Sequence, residues 1–128
     1  MKVIADTNVL FSALLKSNSK ELEIFESEKI NVVVPSFTFF EIFKHKERIV
    51  KASKLSENEI LESYLLLIKY STVLNVTEIP KNYIKEAYRL CHDVDEKDTI
   101  FIASSKFLDC RLWTKDKALI DGLIKKRL

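Results

Sequence analysis

Met1-Lys2-Val3-Ile4-Ala5-Asp6-Thr7-Asn8-Val9-Leu10 opens the chain with a short apolar run that stops on an acid and resumes at once as a second apolar stretch. Lys2 to Ala5 reads as a short buried strand, and Val9, Leu10, Ala13 and Leu14 fall on one face of a helix that follows immediately. A carboxylate is therefore expected just beyond the end of a strand, at the start of a helix.

The alternation continues outward from that stretch. Asn18 is expected to cap the next helix, with Glu21 completing a capping-box pattern and Leu22 and Phe25 turned inward. Ile30 to Val34 reads as a second strand ended by Pro35, after which Ser36 caps a long helix through Phe37, Phe40 and Phe43 to about Ala52. Ser56-Glu57-Asn58-Glu59 carries the clearest helix start, with Leu55 and Ile60 spaced as a hydrophobic staple, and this helix should run to about Tyr70. Val73 to Val76 is a third expected strand. Pro80 suits the start of a helix through Tyr83, Ile84, Ala87, Tyr88 and Cys91, a further helix is expected from about Glu96 to Leu108, and Arg111 to Thr114 is a fourth strand. A last helix is expected after Asp116. Strands separated by helices at this spacing predict a three-layer α/β/α sandwich around a parallel sheet of four to five short strands, with right-handed crossovers.

At 128 residues the chain has the size of one domain, able to bury roughly two-thirds of its unfolded surface. The composition, 47% hydrophobic and 31% charged, is that of a globular protein, and a single Gly with two Pro leaves little room for linkers. A net charge of +2 supplies no whole-molecule argument for nucleic acid. Cys91 and Cys110 read as apolar fillers, and no run approaches the roughly 18 apolar residues of a membrane span. A cytoplasmic location is the expectation.

Ligands of such sheets collect beyond the carboxyl ends of the strands, which is where Asp6 falls. Asp116 holds the equivalent place after the fourth strand, in Leu112-Trp113-Thr114-Lys115-Asp116. Each alone is an ordinary turn or cap residue. Glu41 interrupts an apolar helix little more than one turn from its start, with His45 placed for a weak i,i+4 contact. Asp98 lies in the acidic stretch Asp95-Glu96-Lys97-Asp98, where Asp95 is the expected N-cap and Asp98 the third helical residue, favourable to the helix dipole. Two carboxylates about 4 Å apart repel by roughly 4 kcal/mol at an effective dielectric near 20, a sign that a bound divalent cation reverses. Hard oxygen ligands suit Mg²⁺ or Mn²⁺, and such ions support phosphodiester hydrolysis by activating water and neutralising phosphate oxygens.

Taken in order, Val3-Ile4-Ala5-Asp6-Thr7-Asn8, Glu41, Asp98-Thr99-Ile100-Phe101-Ile102-Ala103 and Leu112-Trp113-Thr114-Lys115-Asp116 resemble the PIN domain. That domain is the nuclease module of VapC-type toxins and of several RNA-processing proteins. The resemblance spans essentially the whole chain and implies a Mg²⁺- or Mn²⁺-dependent endoribonuclease. It further implies that Asp6, Glu41, Asp98 and Asp116 form an acidic quartet holding the metal, with Asn8 and Thr114 as polar neighbours. Asp95 is a rival for the place of Asp98, although only Asp98 directly precedes the Thr-Ile-Phe-Ile-Ala run. A haloacid dehalogenase-type phosphatase also begins with an acid after its first strand. Its Asp-x-Asp motif, however, requires a second acid where Asn8 stands.

Lys44, His45, Lys46, Arg48, Lys51 and Lys54 follow Glu41, and Lys44, Lys46 and Arg48 are candidate phosphate contacts, which position RNA without reading its sequence. Lys125-Lys126-Arg127 is a second basic run. Single-stranded RNA is the expected substrate. By resemblance to VapC-type toxins, a homodimer and an antitoxin protein are the expected partners; the alternative is a PIN-like binding module that holds RNA or protein without cutting it.

Overall fold

The computed structural model describes residues 1–114, apart from the Glu96 side chain. The first strand, β1 (Lys2–Ala5), passes through Asp6 into α1 (Thr7–Leu14), as the opening decapeptide predicts. α2 (Lys20–Glu26) leads to β2 (Asn31–Pro35), which runs straight into α3 (Ser36–Lys44). α4 (Lys46–Ser53) and α5 (Glu57–Tyr70) precede β3 (Thr72–Leu74). α6 (Lys81–Asp95), α7 (Thr99–Leu108) and β4 (Arg111–Trp113) complete the described chain.

All pairings are parallel, in the order β3-β2-β1-β4, with Val3 opposite Val32, Val33 opposite Thr72 and Ile4 opposite Leu112. Because side chains alternate along a strand, β1 and β2 divide their residues between two layers. Val3, Ala5, Val32 and Val34 pack with residues of α1 to α5, whereas Ile4 and Val33 pack with residues of α6 and α7. The two central strands are buried on both faces and read as continuous apolar runs for that reason. Complete burial of a side chain such as Ile4 or Leu10 contributes about 1.5–3 kcal/mol.

Several helix boundaries differ from the sequence reading. Ser19, not Asn18, caps α2: its hydroxyl accepts from Leu22 N at 3.2 Å, and Asn18 instead turns the chain with φ of 52°. The cap moves one residue, Leu22 takes the third helical position, and Glu21 loses its capping-box place. Pro35 occupies the cap position of α3, and Ser36 is already helical. The long helix expected to reach Ala52 breaks at His45, whose backbone (φ −105°, ψ 19°) lies outside the helical region. Ile49, beyond that bend, is buried against the same layer as Ile42.

The capping box at Ser56 is present as expected, with reciprocal 3.1 Å bonds between Ser56 and Glu59, and Ile60 is buried. The third strand ends at Leu74 rather than Val76. Asn75 caps a short 3-10 turn over Val76–Glu78, so the backbone that periodicity assigns to a strand is spent on a turn. The helix expected from Glu96 begins as a 3-10 turn, Glu96–Asp98, and becomes α-helical only at Thr99. The expected last helix, Asp116 and the Lys125-Lys126-Arg127 run lie outside the described residues.

Candidate active site

The sheet's carboxyl edge is where β1, β2 and β4 release the chain, and the first turns of α1, α3 and α7 meet there. They surround an open cleft of about 510 Å³ lined by Asp6, Thr7, Asn8, Phe37, Glu41, Asp95, Lys97, Asp98 and Phe101. Elements far apart in sequence thus place three of the four expected acids on one rim.

Asp6 is the most constrained of them. It is 3% exposed, its backbone N–H donates to Trp113 O at 3.2 Å, and its Oδ1 accepts from Val9 N at 3.0 Å. Asp6 thus caps α1 and lines the cleft at once. Its Oδ2 accepts from Thr114 Oγ1, so the residue after β4 orients the residue after β1. A buried polar group requires such hydrogen-bond compensation.

Glu41 projects from α3 a little over one turn beyond the end of β2, with His45 Nε2 3.8 Å from its Oε2. Asp98 stands in the cap position of α7, not at its third residue, and its side chain makes no capping bond. Its Oδ2 atom is nevertheless buried. Asp95 closes α6 and also lines the cleft, with Oδ1 accepting from Lys97 N at 3.0 Å. Asn8 lines the same space.

The basic row after Glu41 does not enter this cleft. Lys44, Lys46 and Arg48 instead surround a separate hollow with His45 and Glu47 at the α3–α4 bend. Lys46 Nζ lies 4.7 Å from the Phe43 ring centre, and the Arg48 guanidinium lies 5.8 Å from that of Phe11, both within cation–π range. Among the described residues, Lys97 is the cation that lines the cleft; it stands in an acidic stretch, and its place one residue before Asp98 is the available signal. Phe37 and Phe101 were read only as apolar helix residues. Both line the cleft, and Phe37 sits one helical turn before Glu41, on the same side of α3.

Carboxylate oxygens from separate elements around an open space fit a hard divalent cation. Among the described residues no three acids, histidines or cysteines stand close enough to hold an ion together.

A four-stranded parallel sheet between two helical layers, with acids at its strand ends, is an α/β architecture consistent with a PIN-like domain. The chain belongs to the PIN domain family: the family's model matches residues 4–128. Members of this family are generally nucleases, and they generally use divalent metal ions. No curated protein matches the chain. Among the described residues, no helix is long and apolar enough to cross a membrane.

Proposed function

We propose that the protein is a metal-dependent endoribonuclease that hydrolyses single-stranded RNA. The observation that carries this reading is the convergence of Asp6, Glu41 and Asp98, from three different elements, on one cleft at the carboxyl edge of the sheet. Asp116, the fourth member implied by the family resemblance, is assigned by its place two residues after Thr114, whose hydroxyl already reaches Asp6.

A divalent cation bound at these acids supplies an activated water and neutralises charge on the phosphate oxygens. The side chains do the rest. Asp6, held by the Val9 amide and the Thr114 hydroxyl, presents its carboxylate in one orientation. Glu41 and Asp98 face the same space from opposite layers. Lys97 offers a cation to a phosphate on the rim. Among the described residues lining the cleft there is no histidine.

Incubating the protein with structured and unstructured RNAs in Mg²⁺, Mn²⁺ or EDTA tests the proposal. The expected outcome is metal-dependent cleavage leaving 5′-phosphate and 3′-hydroxyl ends, with slower but measurable cleavage when the 2′-hydroxyl at the cut is replaced by hydrogen. A 2′,3′-cyclic phosphate, or activity that survives EDTA and vanishes with His45→Ala, would overturn it. RNA binding without any cleavage would instead establish a PIN-type binding module. The likeness to VapC-type toxins supports a finer reading, a toxin restrained by an antitoxin protein. Growth arrest on expression, absent with Asp6→Asn, is the measurement for that.

A further inference from the structure

Phe37 has no part in the metal chemistry, yet its ring forms a wall of the acid-lined cleft. It is half-buried, and it leans on Phe101 with ring centres 5.5 Å apart and planes inclined at 48°. Phe101 is itself 4% exposed and anchored in the layer of α6 and α7. One aromatic ring is therefore fixed by a second, and an edge or face of it is left to the cleft. Glu41 follows on the next turn of α3, and Lys97 and Asp98 line the same space.

We infer that Phe37 is a base-stacking platform, and that the cleft holds one unpaired nucleobase against it while the adjoining phosphate lies towards the acids and Lys97. This inference deepens the nuclease reading and rests on it. The three requirements of a nucleotide unit are a surface for the flat base, a cation for the phosphate and hard oxygens for a metal; all three line one cavity of about 510 Å³. A base inside a duplex is stacked on its neighbours and cannot turn its face to a protein ring, so stacking at Phe37 selects single-stranded substrate. Stacking tolerates any base, because every base has a π face, so this subsite confers strand specificity and little sequence specificity.

The test uses a short single-stranded RNA, the same RNA with one abasic nucleotide walked through each position around the cut, and the matching duplex. Cleavage is measured with wild type, Phe37→Leu and Phe37→Trp, and binding to Asp6→Asn protein is followed by fluorescence anisotropy of labelled RNA. Phe37→Leu should raise KM on the order of tenfold with kcat little changed, and Phe37→Trp should restore KM. An abasic residue at one position should raise the wild-type KM by a similar factor and weaken binding to the Asp6→Asn protein likewise, and Phe37→Leu should raise KM no further on that substrate. A structural role for the ring predicts the same loss on every substrate. That pattern, equal binding of all abasic RNAs by the Asp6→Asn protein, or cleavage of the duplex as fast as the single strand, overturns the inference. Position-dependent binding to the Asp6→Asn protein with no cleavage by wild type would keep the stacking subsite and reject the nuclease reading, so the two failures are distinguishable.

Discussion

Asp6 and Asp98 reach one cleft from opposite layers of the sandwich, and they are held in opposite ways. Asp6 belongs to the layer of α1 to α5, caps the helix it begins and receives the Thr114 hydroxyl. Asp98 begins α7 in the other layer without making a capping bond, and its orientation follows from the 3-10 turn that precedes the helix. The first acid is part of the framework it stands on. The second stands at a helix start without capping it. The capping oxygen of Asp6 is thus coupled to the stability of the fold, whereas no capping bond is at stake at Asp98.

The largest expected effect would treat the two alike. Asp6→Asn and Asp98→Asn should each reduce RNA cleavage by more than the roughly 10- to 100-fold typical of losing an outer-shell partner, because each removes a charge that a divalent ion needs. Steady-state cleavage of a labelled RNA reads this directly. Should Asp98→Asn stay fully active while Asp95→Asn is dead, the role moves back to the last residue of α6, and the comparison must be redrawn around Asp95.

Metal should then reveal the repulsion between the layers. At about one hundred times its Kd, a bound ion adds about 2.7 kcal/mol, a rise of roughly ten degrees in Tm for a domain of this size. Melting in Mn²⁺ should show that rise in wild type and a blunted one in Asp6→Asn and Asp98→Asn. Equal shifts in all three proteins would place the ion elsewhere.

A smaller effect separates the two acids. Asparagine caps helices about as well as aspartate, so Asp6→Ala should cost about 1 kcal/mol more than Asp6→Asn in urea unfolding. The same pair of substitutions at Asp98 should differ by less than half of that, since no capping bond is lost there. Similar penalties at both positions would erase the distinction.

The smallest effect lies away from the cleft, within the layer that Asp6 belongs to. Tyr64 on α5 donates to Phe39 O at 3.0 Å and packs edge-on against the Phe39 ring. Burial raises the phenol above its ordinary 10.0. A raised acid favours the folded state fully below the unfolded value and loses that contribution as pH climbs through the folded one. Wild type should therefore lose stability above about pH 10 relative to Tyr64→Phe, while below that pH the variant should be the weaker by roughly 1 kcal/mol, the net worth of a typical hydrogen bond. A difference independent of pH would mean that the hydroxyl is not held as described.

Much of the architecture was legible because its signals are local. The alternation of Val3, Ile4 and Ala5 with the helix from Val9 needs only neighbouring residues, and so does the capping box at Ser56, where two side chains satisfy two backbone donors within four positions. The misreadings share a different origin. Asn18 and Ser19 are both good caps, and the choice fell to Ser19 because its hydroxyl also donates to Ala13 O at 2.9 Å, a bond across the loop. The break at His45 carries no proline or glycine, and it lets Ile42 and Ile49 bury in the same layer. Residues seven apart on one straight helix would also share a face, so periodicity alone cannot reveal the bend.

The sequence by itself determined the strand–helix alternation and the parallel sheet, because a strand end followed by a helix start is a property of a few adjacent residues. It also placed Asp6 at once as a cap and as a candidate for chemistry. Only the tertiary structure decided that Phe37 and Lys97 share the cleft, that Lys44, Lys46 and Arg48 face a different hollow, and that Asp98 heads its helix without capping it. Those outcomes depend on how α3, α6 and α7 lie across the sheet. Their positions follow from packing among residues tens of positions apart, which no spacing along the chain encodes.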